Sequence, residues 1–404
     1  MYFWAITAVR VLLGLGLAAY AVYAVLAIWA ARQWSRTAPA ASPNWTPAIT
    51  ILKPLCGVDA EAWENFASFC RVDYPPDRLQ ILFGALDPQD PALELARRVQ
   101  TEFPHHDIQV CLPPADAVQG NNRKVCNLLS MLPHAKHDLL VLCDSDMRVR
   151  PDYLLRIAAP FETKDERAVE SQSSGRDRAA VGLVTCPYRG ASVKSTAAAL
   201  EALSIGADFI PSALVSRAIE GVSFALGSTI AIPRAILNEI GGFEPLVDEL
   251  ADDYRIGNAV HSAGYRIVIS DYVIEDVIGQ ERFSQMWSRR LRWARTVRSC
   301  RPAGYASTII THGLPLGILF LGAAGFSGIG WGVLATICLI RAASSLTITL
   351  KYTRDPNLLR WFVLLPISDL LSVALFVASY CGRHIMWRGE KFRLLPGGKL
   401  QRVR

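Results

Sequence analysis

The sequence predicts an α/β domain with a mainly parallel sheet, which lies between apolar segments at both ends of the chain. Apolar runs occupy the two ends of the 404 residues, and most of the charge lies in the middle. From Pro47 to about Ser299, short β-type runs alternate with helical runs, a pattern typical of parallel strands with helical crossovers. With 51% hydrophobic and 19% charged residues, the chain is too apolar for an ordinary soluble enzyme and too charged for an all-membrane transporter.

The N-terminal apolar run predicts a membrane helix within residues 1–32. Val11 to Ala31 carries no charge and is long enough to span a bilayer, which takes about 20 apolar residues. Arg32 and Arg36 follow this run, whereas only Arg10 precedes it. The positive-inside rule therefore predicts that the residues after 32 lie in the cytoplasm.

Residues 302–382 predict three further membrane segments. Pro302 to Ile340 is long enough for most of two helices, of which the second continues to Leu350, and Trp361 to Gly382 forms a third. Three crossings would place the C-terminal tail outside, so either the tail departs from the positive-inside rule or the last segment is re-entrant. Arg341 and Asp369 each fall inside an apolar segment, and we predict that they form an ion pair because isolated charges are costly in lipid.

The tail, residues 383–404, is strongly basic. This cluster predicts either a contact with anionic lipid or a solvated tail, and no nucleic-acid-binding motif accompanies it. The nine cysteines form no C-x-x-C pair, which favours a reducing compartment over a zinc site or a disulfide framework. The tail's basic residues are Arg383, Arg388, Lys391, Arg393, Lys399, Arg402 and Arg404.

The middle of the chain contains four runs of strand type and three of helical type. In such sheets ligands bind beyond the carboxyl ends of the strands, so the residues just after each strand are the candidates for function. The predicted strands are 49–52, 79–85, 108–112 and 139–143, and the predicted helices are 61–69, 91–102 and 123–131.

An acidic pair follows the apolar run Leu139–Cys143. Asp144 and Asp146 lie two residues apart at the end of a buried strand, where two carboxylates are costly unless a positive charge is near. A divalent cation, Mg²⁺ or Mn²⁺, would meet this need and would bridge to a diphosphate. The alternative is a solvated turn or a cap for the helix that begins near Pro151.

Two other acidic positions are candidates. Asp87 follows the second strand and would face the same crevice, where it could contact a nucleotide, although Asp and Pro also favour turns. In Asp248–Asp253 four acids lie within six residues, and mutual repulsion raises carboxylate pKa values. A carboxylate so tuned can act as a general base toward a hydroxyl. For Asp248 and Glu249 we favour a charged helix start.

A basic segment with tryptophan precedes the C-terminal apolar region. In Arg289–Arg295, planar guanidinium groups suit a diphosphate, and Trp293 suits stacking on a sugar or nucleotide. An interfacial helix that carries arginine and tryptophan at the lipid boundary explains the same residues. Both interpretations are compatible.

Together these residues resemble the inverting family 2 and family 21 glycosyltransferases, in particular the ceramide glucosyltransferase-like branch. The resemblance covers about residues 47–300, and the flanking apolar segments also match. Within the branch, Cys186–Gly190 and Leu250–Tyr254 look most like bacterial hopanoid-biosynthesis glycosyltransferases. The other matching positions are Leu52-Lys53-Pro54-Leu55, Asp73-Tyr74-Pro75, Asp87, Lys124–Leu128, Asp144-Ser145-Asp146, Gly241-Gly242-Phe243, Asp252-Asp253 and Arg289–Trp293.

The resemblance implies a GT-A, Rossmann-like nucleotide-sugar-binding domain over residues 47–300, a UDP-sugar donor and inversion at the anomeric carbon. Asp146 stands where ceramide enzymes can have glycine, so its role as a ligand comes from the broader family. The implied site has Asp253 and Asp252 as catalytic residues and Asp144 and Asp146 as metal ligands. The implied donor-binding residues are Pro54, Asp87, Lys124, Arg289, Arg292 and Trp293.

The expected function is transfer of glucose or N-acetylglucosamine to a hydroxyl of a membrane lipid, ceramide-like or a hopanoid polyol, at a bacterial inner membrane. The expected partners are the UDP-sugar, the lipid acceptor and the bilayer. A processive polysaccharide synthase is an alternative, although about four membrane segments leave little room for a polymer channel. A catalytically inactive membrane scaffold is another, against which the intact acidic motifs argue.

Overall fold

A computed structural model describes residues 2–37, 45–114, 119–162 and 180–403 of the chain. The strands are β1 (Ile49–Leu55), β2 (Leu79–Ala85), β3 (Asp107–Cys111), β4 (Leu139–Cys143), β5 (Met147–Arg148), β6 (Val181–Thr185), β7 (Tyr188–Ala191), β8 (Thr229–Pro233), β9 (Arg266–Ile269), β10 (Ile274–Val277), β11 (His384–Trp387), β12 (Glu390–Leu394) and β13 (Leu400–Arg402). The helices are α1 (Tyr2–Arg36), α2 (Ala62–Ser68), α3 (Ala92–Glu102), α4 (Arg123–Met131), α5 (Tyr153–Ala158), α6 (Thr196–Ser204), α7 (Ile210–Glu220), α8 (Arg234–Glu239), α9 (Asp252–Ser262), α10 (Phe283–Cys300), α11 (Pro302–Ser307), α12 (Gly313–Ala323), α13 (Gly328–Leu346), α14 (Asn357–Trp361) and α15 (Leu365–Tyr380).

The chain divides into two compact units. The sheet unit comprises residues 38–188, 222–277 and 398–404, and the helical unit comprises residues 1–37, 189–221 and 278–397. The domain predicted over residues 47–300 stays a prediction. Two stretches within that range, 189–221 and 278–300, belong to the helical unit.

The sheet unit contains a seven-stranded sheet with the order β3-β2-β1-β4-β8-β6-β9. β1 pairs in parallel with β2 and β4, and its Leu52 lies opposite both Leu82 and Leu142. β8 is antiparallel to β4 and β6. Every residue of β1, β2 and β4 is buried, as expected for parallel strands covered on both faces. The predicted α/β class is confirmed, and the predicted helix at 123–131 matches α4 at both ends.

Among the described residues, the helical unit has four helices that are long and apolar enough to span a membrane: Trp4–Arg36, Thr196–Glu220, Gly328–Tyr352 and Asn357–Tyr380. The pair Pro302–Thr311 and Gly313–Ala323 passes the same test together but is bent by 60°. The N-terminal helix and the apolar segments after residue 302 thus agree with the sequence-based prediction. The helix at 196–220 was missed because its mean hydropathy of 1.4 is the lowest of the four.

The missed helix has both of its flanks in one sheet. β6 precedes it and β8 follows it, and these strands pair with Thr185 opposite Ile230. Since both flanks return to the same sheet, we expect that this helix does not cross a bilayer. Consistent with this, 72% of its most apolar window is buried inside the protein.

Helix α15 lies along α10. Met286 and Leu371 share an apolar cluster, Arg290 Nη2 donates to Ser372 Oγ at 3.0 Å, and Arg295 donates to the carbonyl oxygen of Cys381. α10 carries five arginines and is too polar to cross a bilayer. These contacts favour the predicted alternative in which the last apolar segment does not cross.

The predicted ion pair within the apolar segments is confirmed. Arg341 Nη2 lies 2.5 Å from Asp369 Oδ1. Arg341 also binds a partner that the sequence did not indicate, since its Nη2 lies 2.6 Å from Asp208 Oδ1 in the missed helix. The charge of Arg341 is therefore met by two carboxylates within the helical unit.

The basic C-terminal region is folded. β11 and β12 form an antiparallel hairpin in the helical unit, with His384 opposite Arg393. Ile385, Phe392 and Leu400 are buried, because apolar residues alternate with charged ones at the period of a strand. Residues 384–402 thus contain three strands, while their basic side chains, including those of Lys391 and Arg393, are exposed. Solvation of these charges and contact with anionic lipid both stay predictions.

Candidate active site

The turn Asp144-Ser145-Asp146 follows β4 at the carboxyl edge of the sheet, and Lys53 of β1 binds its backbone. Lys53 Nζ donates to the Asp144 carbonyl oxygen at 2.8 Å and lies 4.0 Å from the Phe69 ring centroid. The Ser145 hydroxyl donates to the carboxylate of Asp59. Lys53 is completely buried in β1, and this burial lowers its pKa, an effect that nearby Cys143 and Asp146 oppose. These contacts fix the backbone of the acidic turn.

Lys124 connects the acidic turn to the later acidic cluster. Its Nζ lies 2.6 Å from Asp144 Oδ1 and 3.6 Å from Asp252 Oδ2. Burial lowers the pKa of Lys124, but the charges of Asp144 and Asp252 more than offset this, so the pKa is raised and the side chain is cationic. The structure thus brings together Asp144, Lys124 and Asp252, three of the residues predicted for the site.

Asp252 and Asp253 form the first turn of α9. Asn122 Nδ2 donates to Asp252 Oδ1 at 3.3 Å and to the Glu249 carbonyl oxygen at 2.8 Å. Desolvation and the charge of Asp252 raise the pKa of Asp253 to about 6, while Lys124 opposes the shift and Asp144 adds to it. A half-buried carboxylate with such a pKa is ionised at pH 7 and is basic enough to accept a proton.

Gly227 makes room for the Asp253 carboxylate. A Cβ at this position would lie 2.8 Å from Asp253 Oδ2. Gly257 of α9 similarly abuts the backbone of Phe224 and Ala225 without space for a side chain. The start of α9 therefore packs directly against residues 224–227.

Asp87 and Pro54 lie at the same end of the parallel strands. Asp87 follows β2, and its Oδ1 accepts from the backbone N–H of Gln89 at 2.9 Å, which is turn chemistry. Pro54 is buried in β1 opposite Gly84. Asp90 Oδ1 accepts from the N–H of Ala92, the first residue of α3, at 2.9 Å. The donor-binding roles of Asp87 and Pro54 stay predictions.

The predicted basic residues of α10 belong to the helical unit. Arg289 lies between two carboxylates, with Nη2 2.7 Å from Glu281 and Nε 3.2 Å from Glu201. Its guanidinium lies 5.9 Å from the Trp293 ring centroid, and that of Arg292 lies 5.4 Å from the Trp387 ring. Burial raises the pKa of Glu281 to about 7 although Arg289 lowers it. In this structure Arg289 is neutralised by protein carboxylates, and its predicted contact with a diphosphate stays a prediction, as do those of Arg292 and Trp293.

The acidic turn contains the two carboxylates that were predicted as metal ligands, those of Asp144 and Asp146. Within the described residues, no group of three or more His, Cys, Asp or Glu side chains could hold one. Mg²⁺ is commonly held by one or two carboxylates together with substrate phosphates, so Asp144 and Asp146 fit an ion shared with a diphosphate.

Sequence reasoning missed several residues that the structure places around this site. These residues are Lys53, Asn122 and Gly227, whose contacts are described above. The sequence gave the clearest indication for Lys53, because it directly follows the apolar run 49–52 and a fully buried lysine is rare unless it is paired.

The fold and this edge of the sheet define a class of protein. A parallel sheet with an acidic turn beyond a central strand is the arrangement of GT-A glycosyltransferases, and the chain is a glycosyltransferase. The model of glycosyl transferase family 21 matches residues 12–400, so the chain belongs to that family.

Two relatives agree with this assignment, and a solved structure shares the fold. The chain is 23% identical over 363 residues to ceramide glucosyltransferase 1 of Caenorhabditis elegans, covering 88% of this chain and 73% of the relative. It is 34% identical over 108 residues to the ceramide glucosyltransferase of Candida albicans, covering 24% and 20% of the two chains. A mannosyltransferase from Pyrobaculum calidifontis superposes with a TM-score of 0.53 at 18% identity, covering 92% of this chain and 99% of that structure, and shares the fold.

Proposed function

We propose that the protein transfers glucose or N-acetylglucosamine from a UDP-sugar to a hydroxyl of a membrane lipid, with inversion at the anomeric carbon. The observation that carries the proposal is Asp253, a half-buried carboxylate with its pKa raised to about 6, one residue from the Asp252–Lys124–Asp144 chain at the sheet edge. This arrangement supplies a base beside a group of charges suited to a diphosphate.

The proposed reaction is a single displacement. Asp253 takes the proton from the lipid hydroxyl while that oxygen forms a bond to the anomeric carbon. The bond from this carbon to the diphosphate oxygen breaks, and UDP leaves with the electron pair. Lys124 places a positive charge next to Asp144, where it can stabilise the leaving diphosphate, and such stabilisation is worth about 3 kcal/mol per donor.

A divalent cation, Mg²⁺ or Mn²⁺, is part of the proposal. Asp144 and Asp146 would hold it with diphosphate oxygens, and when bound it would neutralise charge on the departing UDP. The mannosyltransferase from Pyrobaculum calidifontis was solved with GDP-Man and Mn²⁺, which supports a metal in this fold. We expect EDTA to abolish transfer, and full activity in EDTA would contradict the metal.

A lipid acceptor agrees with the apolar helices and with relatives that are named ceramide glucosyltransferases. A ceramide-like lipid and a hopanoid polyol are the two acceptor classes that we propose. Asp252 is proposed to act with Asp253 in catalysis, and Asp87, Pro54 and Lys124 of the sheet unit are proposed to bind the donor. The donor-binding roles of Arg289, Arg292 and Trp293 in the helical unit stay predictions.

We further propose a bacterial inner-membrane location with the sheet unit in the cytoplasm, supported by Arg32 and Arg36 after the first helix. The hydrogen bonds of Gly398 and Leu400 to residues 248–250 of the sheet unit support an even number of crossings after residue 300. A C-terminal tag should therefore be protected from protease in intact cells, and a tag digested from outside would contradict this topology.

The decisive experiment is mass spectrometry of lipids made by purified protein with UDP-glucose or UDP-N-acetylglucosamine and ceramide or a hopanoid polyol. A lipid heavier by one hexose or one N-acetylhexosamine supports the proposal. A ladder of long products on a gel would instead indicate a processive synthase. The absence of both transfer and donor hydrolysis would indicate an inactive scaffold.

A further inference from the structure

The last residues of the chain form a short strand against the acidic segment that precedes α9. Lys399 forms an antiparallel bridge with Glu249. The Leu400 N–H donates to the Asp248 carbonyl oxygen at 2.7 Å, and the Leu250 N–H donates to the Gly398 carbonyl oxygen at 3.0 Å. Leu400 is buried, so this strand belongs to the fold of the sheet unit.

Residues 120–122 hold the same segment through separate contacts. The Asn122 N–H donates to the Val247 carbonyl oxygen at 2.7 Å, and a Cβ on Gly120 would lie 2.6 Å from that oxygen. Asn121 Nδ2 donates to Asp248 Oδ1 at 2.7 Å and to the Leu400 carbonyl oxygen at 3.2 Å. Asn121 thus ties the acidic segment to the C-terminal strand.

The start of α9 depends on these contacts because the helix lacks a side-chain cap. Ala251 is its N-cap residue and offers no side-chain acceptor to the first turn. Asp252 and Asp253 follow Leu250 directly, so the position of the segment 247–250 sets the position of both carboxylates. A misplacement of about 1 Å at a reacting group can cost about 100-fold in rate.

We propose that the C-terminal strand, residues 398–402, is a positioning element for Asp253 in the transferase reaction. This inference rests on the proposed function, in which Asp253 is the base. The strand does not touch substrate in this role: it fixes the segment from which α9 begins. Its loss should lower turnover and leave donor binding largely intact.

The test is Leu400→Pro in the full-length protein, which removes the N–H that binds Asp248. We expect kcat to fall about tenfold or more while KM for the UDP-sugar changes less than about twofold. Gln401→Ala is the matched control, because this neighbouring side chain is exposed, and it should leave both constants unchanged. A kcat for Leu400→Pro within twofold of the unaltered protein would overturn the inference.

A second variant covers the case in which Leu400→Pro does not fold. Asn121→Ala removes the side-chain donor to Asp248 and Leu400 without changing the strand itself. It should also lower kcat, and in combination with Leu400→Pro the losses should be less than additive, since both changes release the same segment. Fully additive losses of kcat, or an unchanged kcat in Asn121→Ala, would overturn the inference that Asn121 and the C-terminal strand hold the same segment.

Hydrogen exchange separates this inference from the proposed function. Deleting residues 398–404 should increase amide exchange at residues 248–254, whether or not the protein transfers sugar. Unchanged exchange would overturn the positioning role. If the unaltered protein neither transfers nor hydrolyses any UDP-sugar, the proposed function fails, and the exchange result alone decides the role of the strand.

Discussion

Two clusters of buried charge in this protein differ in their balance. In the helical unit, Arg341 binds Asp208 and Asp369, while Ser372 donates to Asp208 and accepts from Arg290. Two carboxylates there face two guanidinium groups. In the sheet unit, the carboxylates of Asp144, Asp146, Asp252 and Asp253 share the ammonium groups of Lys53 and Lys124.

The difference in charge balance agrees with the proposed assignment of chemistry to the sheet-unit cluster. A balanced cluster satisfies its own charges and has no need of a ligand, so we assign it the structural task of joining helices. Burial, together with the neighbouring charge of Asp252, raises the pKa of one member, Asp253, and an excess of carboxylates attracts a cation. Because both clusters are buried, the excess of negative charge is what distinguishes the cluster that we propose to be catalytic.

The largest effect should come from Asp253→Asn. This change removes the proton acceptor and keeps the shape, so kcat should fall about 100- to 10,000-fold while UDP-sugar binding stays largely intact. Asp138→Asn, whose side chain is 98% exposed, is the matched control and should be neutral. Turnover retained in Asp253→Asn would remove the basis for calling the sheet-unit cluster catalytic.

Arg341→Met tests whether the charge cluster of the helical unit has a structural role. It leaves Asp208 and Asp369 without their shared cation, and breaking a buried pair costs about 3–5 kcal/mol. Thermal unfolding in detergent should begin at a clearly lower temperature, and adding Asp208→Asn and Asp369→Asn should restore part of the loss. Normal unfolding with a selective loss of kcat would instead show that this cluster takes part in catalysis.

The sequence was sufficient to predict most of the sheet and the acidic positions around it. β2 was predicted at its observed ends because an apolar run between turn residues has one plausible structure. The pairing of Arg341 with Asp369 was also predictable, since charges in apolar segments require partners. The first prediction depends only on neighbouring residues, and the second follows from the free-energy cost of an isolated charge in lipid.

The contacts that could not be predicted join residues far apart in the chain. Nothing near Asp208 indicated that it would meet Arg341, and nothing near Leu400 indicated a strand beside Asp248. Alternation of apolar and charged residues at 384–394 was visible, but the large net charge favoured interpretation as a tail. Charge counts describe composition, whereas the fold decides which charges meet.

The pH dependence of turnover should follow Asp253. Its pKa of about 6 is raised above the ordinary value of 3.8, so the ionised base is lost as the pH falls through about 6. We expect kcat/KM to decline about tenfold per pH unit below that point. For stability the sign is opposite: the raised pKa favours the protonated folded state, so this group destabilises the fold as the pH rises through 6. An acid limb near pH 4 would contradict the environment described for Asp253.

The smallest effect should come from Gly227→Ala, which tests the position of Asp253 and not its chemistry. The added methyl carbon would lie 2.8 Å from Asp253 Oδ2, closer than real Cβ contacts, so the carboxylate must shift. A shift of a few tenths of an ångström leaves a working base in a poorer geometry, and we expect kcat to fall about 3- to 10-fold.

Gly264→Ala is not a suitable control because its positive φ of 92° would add backbone strain. Gly332→Ala is suitable, because that glycine lies in α13 with open space around it and should tolerate a methyl group. If Gly227→Ala leaves kcat unchanged while Asp253→Asn abolishes it, the base tolerates displacement, and the tight packing at the start of α9 serves stability alone.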